Sequence, residues 1–290
     1  MKFDKNTKIL IVGLGLIGGS YAKALSDEGY FVGAIDKKKS SVEYALKNGL
    51  IQVGETSVKK DFVKDFDLIV FALYPHDFIN WIKEYQSSIK SGALITDVTG
   101  VKSFVVENVQ KILRGDLEFV GAHPMAGKEV SGVENADPKI FVGANYIVTP
   151  TKRNTDENVQ AVQDFGRALG FERISSLSPE EHDETVGFLS HLTHCIAVSL
   201  MVSKKSHHLA EYTGDSFRDL TRIAKINDEM WSELFLANKD ELLKQMDLFE
   251  EKFNQLKEDI KNDNREKIRE TLRESTARRK VFDKDAKETK

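Results

Sequence analysis

Two kinds of residue pattern in this chain are able to do chemistry. The first is a glycine loop: residues 8 to 20 read KILIVGLGLIGGS, so Gly13, Gly15 and Gly18 stand as GxGxxG between an apolar run and a helical pattern. In that context Gly13 permits the tight turn, Gly15 lets the backbone approach a pyrophosphate, and Gly18 lets the helix pack close on its strand. The backbone N–H groups at Leu16 and Ile17 then open the helix and face the phosphates at its positive end. The next apolar run, FVGAI, ends in Asp36, where an acid binds ribose hydroxyls. That acid favours NAD because it repels a 2′-phosphate, although Lys37, Lys38 and Lys39 follow and partly relieve the repulsion.

The second pattern is a set of imidazoles and guanidinium groups. Residues 118 to 127 read EFVGAHPMAG, which puts His123 two residues past an apolar run. A neutral imidazole with a pKa near 6.5 suits general base work, and the alternative is a loop histidine that caps backbone groups. Further on, Asp183, Gly187, His191 and His194 lie at helical spacing along one face, which suggests a pocket wall. His191 and His194 have no cysteine or acidic third ligand at a recognisable spacing, so no metal is expected. His182, His207 and His208 read as surface residues. In SFRDLTRIAKIND, Ser216 reads as a cap with Arg218 and Arg222 one turn apart. Such forks take carboxylates in bidentate fashion; taken by itself, the segment reads by default as two solvated charges paired with Asp215 and Asp219.

These residues need a frame. Up to about residue 150, short apolar runs alternate with helical stretches, the pattern of a parallel α/β sheet. The expected strands are Lys8–Val12, Phe31–Ile35, Asp67–Leu73, Leu94–Asp97, Glu118–Gly121 and Asn145–Thr149. Ligands bind such sheets beyond the carboxyl ends of the strands, where the glycine loop and His123 would lie. From Ser178 onward the pattern is helical, opening with Ser178, Pro179 and Glu181 as a capping box. Leu242, Met246, Phe249, Phe253, Leu256 and Ile260 recur at spacings of four and three, the seam of a helix that packs lengthwise on another. Little sequence remains to cover that seam, so a homodimer is expected. The expected division is an α/β dinucleotide-binding domain over 1–175 and an all-α domain over 176–290.

The composition sets bounds on partners. A hydrophobic content of 40%, a charged content of 30% and a net charge of −4 with both signs interspersed leave no basic face for nucleic acid. No apolar run is expected to approach the roughly 18 residues needed to cross a bilayer, so no membrane is expected as a partner. The single cysteine, Cys195, forms no internal bridge, and MKFD leads almost directly into a strand, which reads as cytoplasmic. The terminal DKDAKETK reads as frayed.

Three stretches together, GLGLIGGS at 13–20, GAHPMAG at 121–127 and FLSHLTH through FRDLTRIA at 188–224, resemble the prephenate and arogenate dehydrogenase family. The resemblance implies a Rossmann-type domain followed by a helical dimerisation domain. It implies NAD-dependent oxidative decarboxylation of a cyclohexadienol dicarboxylate, with His123 as the base that takes the hydroxyl proton. Arg222 would clamp the side-chain carboxylate, His194 would line the pocket, Glu129 and Asp183 would lie near its entrance, and His191 would support the pocket or simply orient the helix. Many members carry a serine where this chain, reading DVTGVK, has Gly100; Thr99 or a water would supply that hydroxyl instead. Two rivals keep parts of this picture: a reductase of imines or 3-hydroxy acids on the same plan, and a non-catalytic NAD sensor.

Overall fold

Runs such as ILIV and LIVF have no polar interruption because their strands are covered on both faces. Strands β1 (Ile9–Val12), β2 (Val32–Ile35), β3 (Val53–Glu55), β4 (Leu68–Phe71), β5 (Leu94–Asp97) and β6 (Glu118–Phe119) form one parallel sheet in the order β3-β2-β1-β4-β5-β6. Their side chains alternate between two cores. Ile9, Ile11, Val32, Ala34, Leu68 and Val70 pack with helices α1 (Leu16–Asp27) and α2 (Lys39–Lys47). Leu10, Val12, Ile69, Phe71 and Ile95 face the other way, toward the short α3 (Lys60–Val63), α4 (Pro75–Tyr85) and α5 (Ser103–Ile112). The structure, a computed structural model, describes residues 1–205 and 208–282.

The parallel sheet does not include every expected strand. Glu118–Gly121 breaks at Val120: β6 ends at Phe119, and β7 (Gly121–Pro124) starts a second sheet with β8 (Asn145–Thr149) and β9 (Arg173–Ser176). β7 runs antiparallel to β8, with His123 opposite Ile147, and β8 runs parallel to β9. Asn145–Thr149 is therefore a strand, but of the smaller sheet. Between β8 and β9 runs α6 (Asp156–Ala168), capped by Thr155, whose Ala161, Val162 and Phe165 join the first core. β3 and β9 were not foreseen.

The helical stretch begins as expected, with Ser178 and Glu181 exchanging backbone and side-chain bonds at the start of α7 (Pro179–Val186). A π turn, Gly187–Leu192, then leads without a break into α8 (Thr193–Val202). By length and composition alone this 24-residue run, Pro179–Val202, is apolar enough to cross a membrane, the one such helix among the described residues. The expectation that no run is long and apolar enough is corrected by this helix, whose apolar residues are punctuated by Gly, Ser, Thr and His. The same stretch carries Asp183 and His191 buried in polar contacts, which a lipid-facing span would leave unmatched. Helices α9 (Asp215–Thr221) and α10 (Asp228–Ala237) follow. The cap of α9 is Gly214 and not the expected Ser216, which lies inside the helix.

The chain divides into two compact units, Met1–Lys239 and Asp240–Lys290. Most of α11 (Lys239–Lys261) and all of α12 (Arg265–Arg279) make up the second, joined through Asp263 at φ +51 and capped by Asn264. The expected seam lies along α11. Leu242 is buried, Phe249 and Phe253 stack at 5.9 Å, and Phe253 and Ile260 stay 59% and 58% exposed. His207 and DKDAKETK lie outside the described residues.

Candidate active site

The glycine loop fits a dinucleotide by shape. Gly13 sits at φ +101, and a β-carbon there would come within 2.4 Å of the Ala72 carbonyl; one at Gly18 would come within 2.0 Å of the Gly13 carbonyl. Gly15, by contrast, has open space where its side chain would be. It is also the N-cap of α1 and offers no side chain to the first-turn N–H groups at Leu16 and Ile17, which are left for a ligand. Asp36, at the end of β2, accepts from the Leu14 and Lys38 backbone N–H groups, each at 2.7 Å. The carboxylate therefore holds the loop in place at the carboxyl ends of β1 and β2.

At the end of β5 lies a buried ionic knot. Lys102 Nζ donates to Asp97 Oδ2 at 2.6 Å, with both side chains fully buried. Asp97 Oδ1 accepts from the Ala122 backbone at 3.0 Å, which ties β7 to this loop. Thr99 is buried with it: its hydroxyl bonds Asp97 and Val101 and accepts from Lys102 Nζ. That hydroxyl is committed inward, so of the two expected sources of a bond to His123, Thr99 or a water, Thr99 is not the one. Gly100 does face His123. A β-carbon at Gly100 would lie 3.7 Å from His123 Nε2.

The other ring nitrogen of His123 is engaged from the helical side. His123 Nδ1 lies 2.9 Å from His182 Nε2, and His182 Nδ1 lies 2.8 Å from Asp183 Oδ1. His182 is fully buried, so its expected place at the surface is corrected. Asp183 is also buried and does not line an entrance. Its carboxylate caps α5, taking the backbone N–H groups of Lys102 at 2.7 Å and Ser103 at 2.8 Å. Burial raises the Asp183 carboxyl, but the His182 bond and these two N–H groups outweigh it and hold the group below the ordinary carboxylate range. Burial pushes His123 well below 6.5, reinforced by nearby His182, Lys102 and His191. Burial also lowers His182, against the pull of Asp183.

The expected helix face runs through the π turn: Asp183, Gly187 and His191 are buried, and His194 is half-buried. Asn238 Nδ2 donates to the Asp183 carbonyl at 2.9 Å and lies 3.2 Å from His191 Nδ1, while Trp231 and Phe235 present their edges and faces to His191 at about 6 Å. Burial lowers His191 to about 4. His194 donates from Nδ1 to the Ser190 carbonyl at 2.8 Å, and its ring lies tilted against Trp231 with centroids 3.7 Å apart. Arg222, at the end of α9, pairs with Glu129 from the loop after β7, and both charges act on His194. Arg218 pairs with Asp215 at the surface, and His208 is likewise exposed. His182, Trp231 and Asn238 are the residues that sequence reasoning missed. His182 follows a capping box and precedes the acid that caps α5, but only the fold shows where that leads.

A six-stranded parallel sheet in this order with an open glycine loop, joined to a helical wall of imidazoles, defines a nucleotide-binding oxidoreductase of two-part construction. Residues 21–173 match the family model for the prephenate dehydrogenase nucleotide-binding domain, and residues 178–274 that for the prephenate dehydrogenase dimerization domain. The chain is 34% identical over 249 residues to the prephenate dehydrogenase of Bacillus subtilis, covering 82% of this chain and 66% of that protein. A crystal structure of prephenate dehydrogenase from Aquifex aeolicus with hydroxyphenyl propionate and NAD+ superposes with a TM-score of 0.87 at 34% identity, over 96% of this chain and 98% of that one. Synechocystis arogenate dehydrogenase is similar at a TM-score of 0.82 and 25% identity, over 96% and 100%. The chain belongs to the prephenate dehydrogenase family.

Proposed function

We propose that this chain oxidatively decarboxylates prephenate to 4-hydroxyphenylpyruvate, with NAD held by Gly13, Gly15, Leu16, Ile17, Gly18 and Asp36. The observation that carries this reading is the placement of His123 Nε2 against Gly100, at the same carboxyl edge of the sheet as the glycine loop. When bound, NAD supplies the acceptor for the hydride that leaves the ring carbon, while the ring loses carbon dioxide and becomes aromatic. His123 Nε2 takes the proton of the ring hydroxyl; its depressed pKa keeps it unprotonated at neutral pH, the state a base needs. Arg222 clamps the side-chain carboxylate, using the part of its fork that Glu129 leaves open, and His194 and Trp231 form the wall beside it. His191 supports that wall from behind through Asn238. Thr99 acts indirectly, by fixing the Asp97–Lys102 loop that carries Gly100.

We read the functional boundary as 175/176, with residues 176–290 supplying both the pocket wall and a homodimer contact through the exposed apolar face of α11. The single cysteine, Cys195, half-buried on α8, fits a reducing compartment such as the cytoplasm. The test is NADH formation followed with prephenate and with arogenate in turn, for the native chain and for His123→Asn. Turnover of prephenate, falling by about 10² to 10⁴ in His123→Asn with NAD affinity unchanged, supports the reading. Turnover of arogenate alone moves the substrate to the amino analogue. An unaffected rate in His123→Asn removes that imidazole from the mechanism.

A further inference from the structure

We infer that His182 and Asp183 are positioning residues that hold His123 in the tautomer with its lone pair on Nε2. The proton count leaves one arrangement. Asp183 takes two backbone N–H groups at the positive end of α5, so it is an ionised acceptor and has no proton to give. His182 Nδ1 must then carry the hydrogen of the 2.8 Å contact, which leaves Nε2 of a neutral His182 as an acceptor. A doubly protonated His182 is disfavoured by burial and by the Lys102 ammonium. The 2.9 Å contact is therefore a His123 Nδ1–H donating to His182 Nε2, and the bare nitrogen of His123 is the one beside Gly100.

The same chain of bonds stabilises the imidazolium once His123 accepts a proton. A positive ring donates a stronger bond to His182, whose own N–H is already fixed on a carboxylate, as the third group of a catalytic triad does for its histidine. Asp183 is buried and ends the chain, so the bonds orient His123 and share its charge without carrying the proton to solvent. The charged and titratable groups around His123 are His182 and Asp183 from α7, His191 from the π turn, and Lys102 with Asp97 at the base of α5. None besides His182 is within hydrogen-bond reach of Nδ1 among the described residues.

This inference rests on the proposed reaction for its kinetic consequence, but the tautomer is measurable without turnover. Nitrogen-15 spectra of the native protein with labelled histidine, at pH 7.5 and in the presence of NAD, should show His123, assigned by its loss in His123→Asn, with Nδ1 protonated and Nε2 bare. In the kinetic arm, His182→Leu, which removes the acceptor, should lower kcat by about 10² or more at nearly constant KM and shift the acid limb of the pH profile. His182→Gln, whose side-chain carbonyl accepts in the same place, should recover at least about tenfold of the loss. A His123 bare at Nδ1 overturns the inference whether or not the enzyme turns over prephenate. An unchanged kcat in a folded His182→Leu overturns it as well, as does a His182→Gln no better than His182→Leu. Absence of turnover by the native enzyme together with the expected tautomer would instead sink the proposed substrate and leave the positioning role of His182 and Asp183 standing.

Discussion

Replacing His191 by glutamine should flatten the acid side of the stability profile, and the size of the change follows from burial. The imidazole is 1% exposed, and its pKa falls from 6.5 to about 4 when the chain folds. Between those values the unfolded chain binds a proton that the folded chain does not, so stability is complete above pH 6.5 and drains away as the pH falls toward 4. Comparing the two binding equilibria at pH 5 gives a loss of about 2 kcal/mol relative to pH 8, rising toward about 3.4 kcal/mol well below pH 4. The glutamine side chain keeps a polar group for Asn238 but does not titrate. The assay is urea unfolding at fixed protein concentration, followed by tryptophan fluorescence from Trp81 and Trp231, at pH 8 and pH 5. The native protein should lose about 2 kcal/mol more than His191→Gln between the two conditions. Equal losses in the two proteins would refute a neutral, buried His191.

Gly100→Ser should fold and keep its activity within about tenfold, because the new β-carbon would meet Leu234 at 3.6 Å and His123 Nε2 at 3.7 Å, both ordinary contacts; a larger fall in kcat would show that the loop lies differently. Lys102→Met should cost about 3 to 5 kcal/mol in the same urea assay by stranding Asp97, with much of the loss recovered in Lys102→Met combined with Asp97→Asn. Phe253→Glu, on the exposed face of α11, should weaken self-association by about 30-fold or more, read by sedimentation over a range of concentrations. An unchanged sedimentation profile would remove this face of α11 from the proposed contact.

Much of this arrangement is legible in the letters, and the reason is local. β1, β2 and β4 declare themselves because a strand buried on both faces is apolar throughout, and the glycine loop because each glycine answers to a separate steric demand. The capping box at Ser178 is likewise complete within four residues. What was missed depends on distant partners. β9 reads RISS and β3 reads VGE, edge strands of their sheets whose half-exposed faces need no apolar run. The π turn that carries the buried His191 has no sequence mark. His182 looked like a surface residue because it sits among Glu180, Glu181 and Glu184, and nothing nearby announces that His123, 59 residues earlier, packs against it.

Asp183 shows why the two halves of the site cannot drift independently. Its carboxylate fixes the first turn of α5, its backbone carbonyl takes the amide of Asn238 at the end of α10, and its Oδ1 fixes His182. The loop from Asp97 to Ser103 is thereby pinned twice, by the Asp97–Lys102 pair from the sheet and by Asp183 from α7, with Gly100 between the two anchors. A base acting on a substrate hydroxyl must hold its lone pair within a few tenths of an ångström of a productive line, and a mobile imidazole in water does not. Here the strand that carries His123 is tied to that loop through Ala122, and its ring is tied to the helix that pins the same loop. Loss of Asp183 should therefore disturb the cap of α5 and the orientation of His123 together, and a variant such as Asp183→Asn, which keeps an acceptor oxygen but not the charge, should retain the fold better than it retains the base.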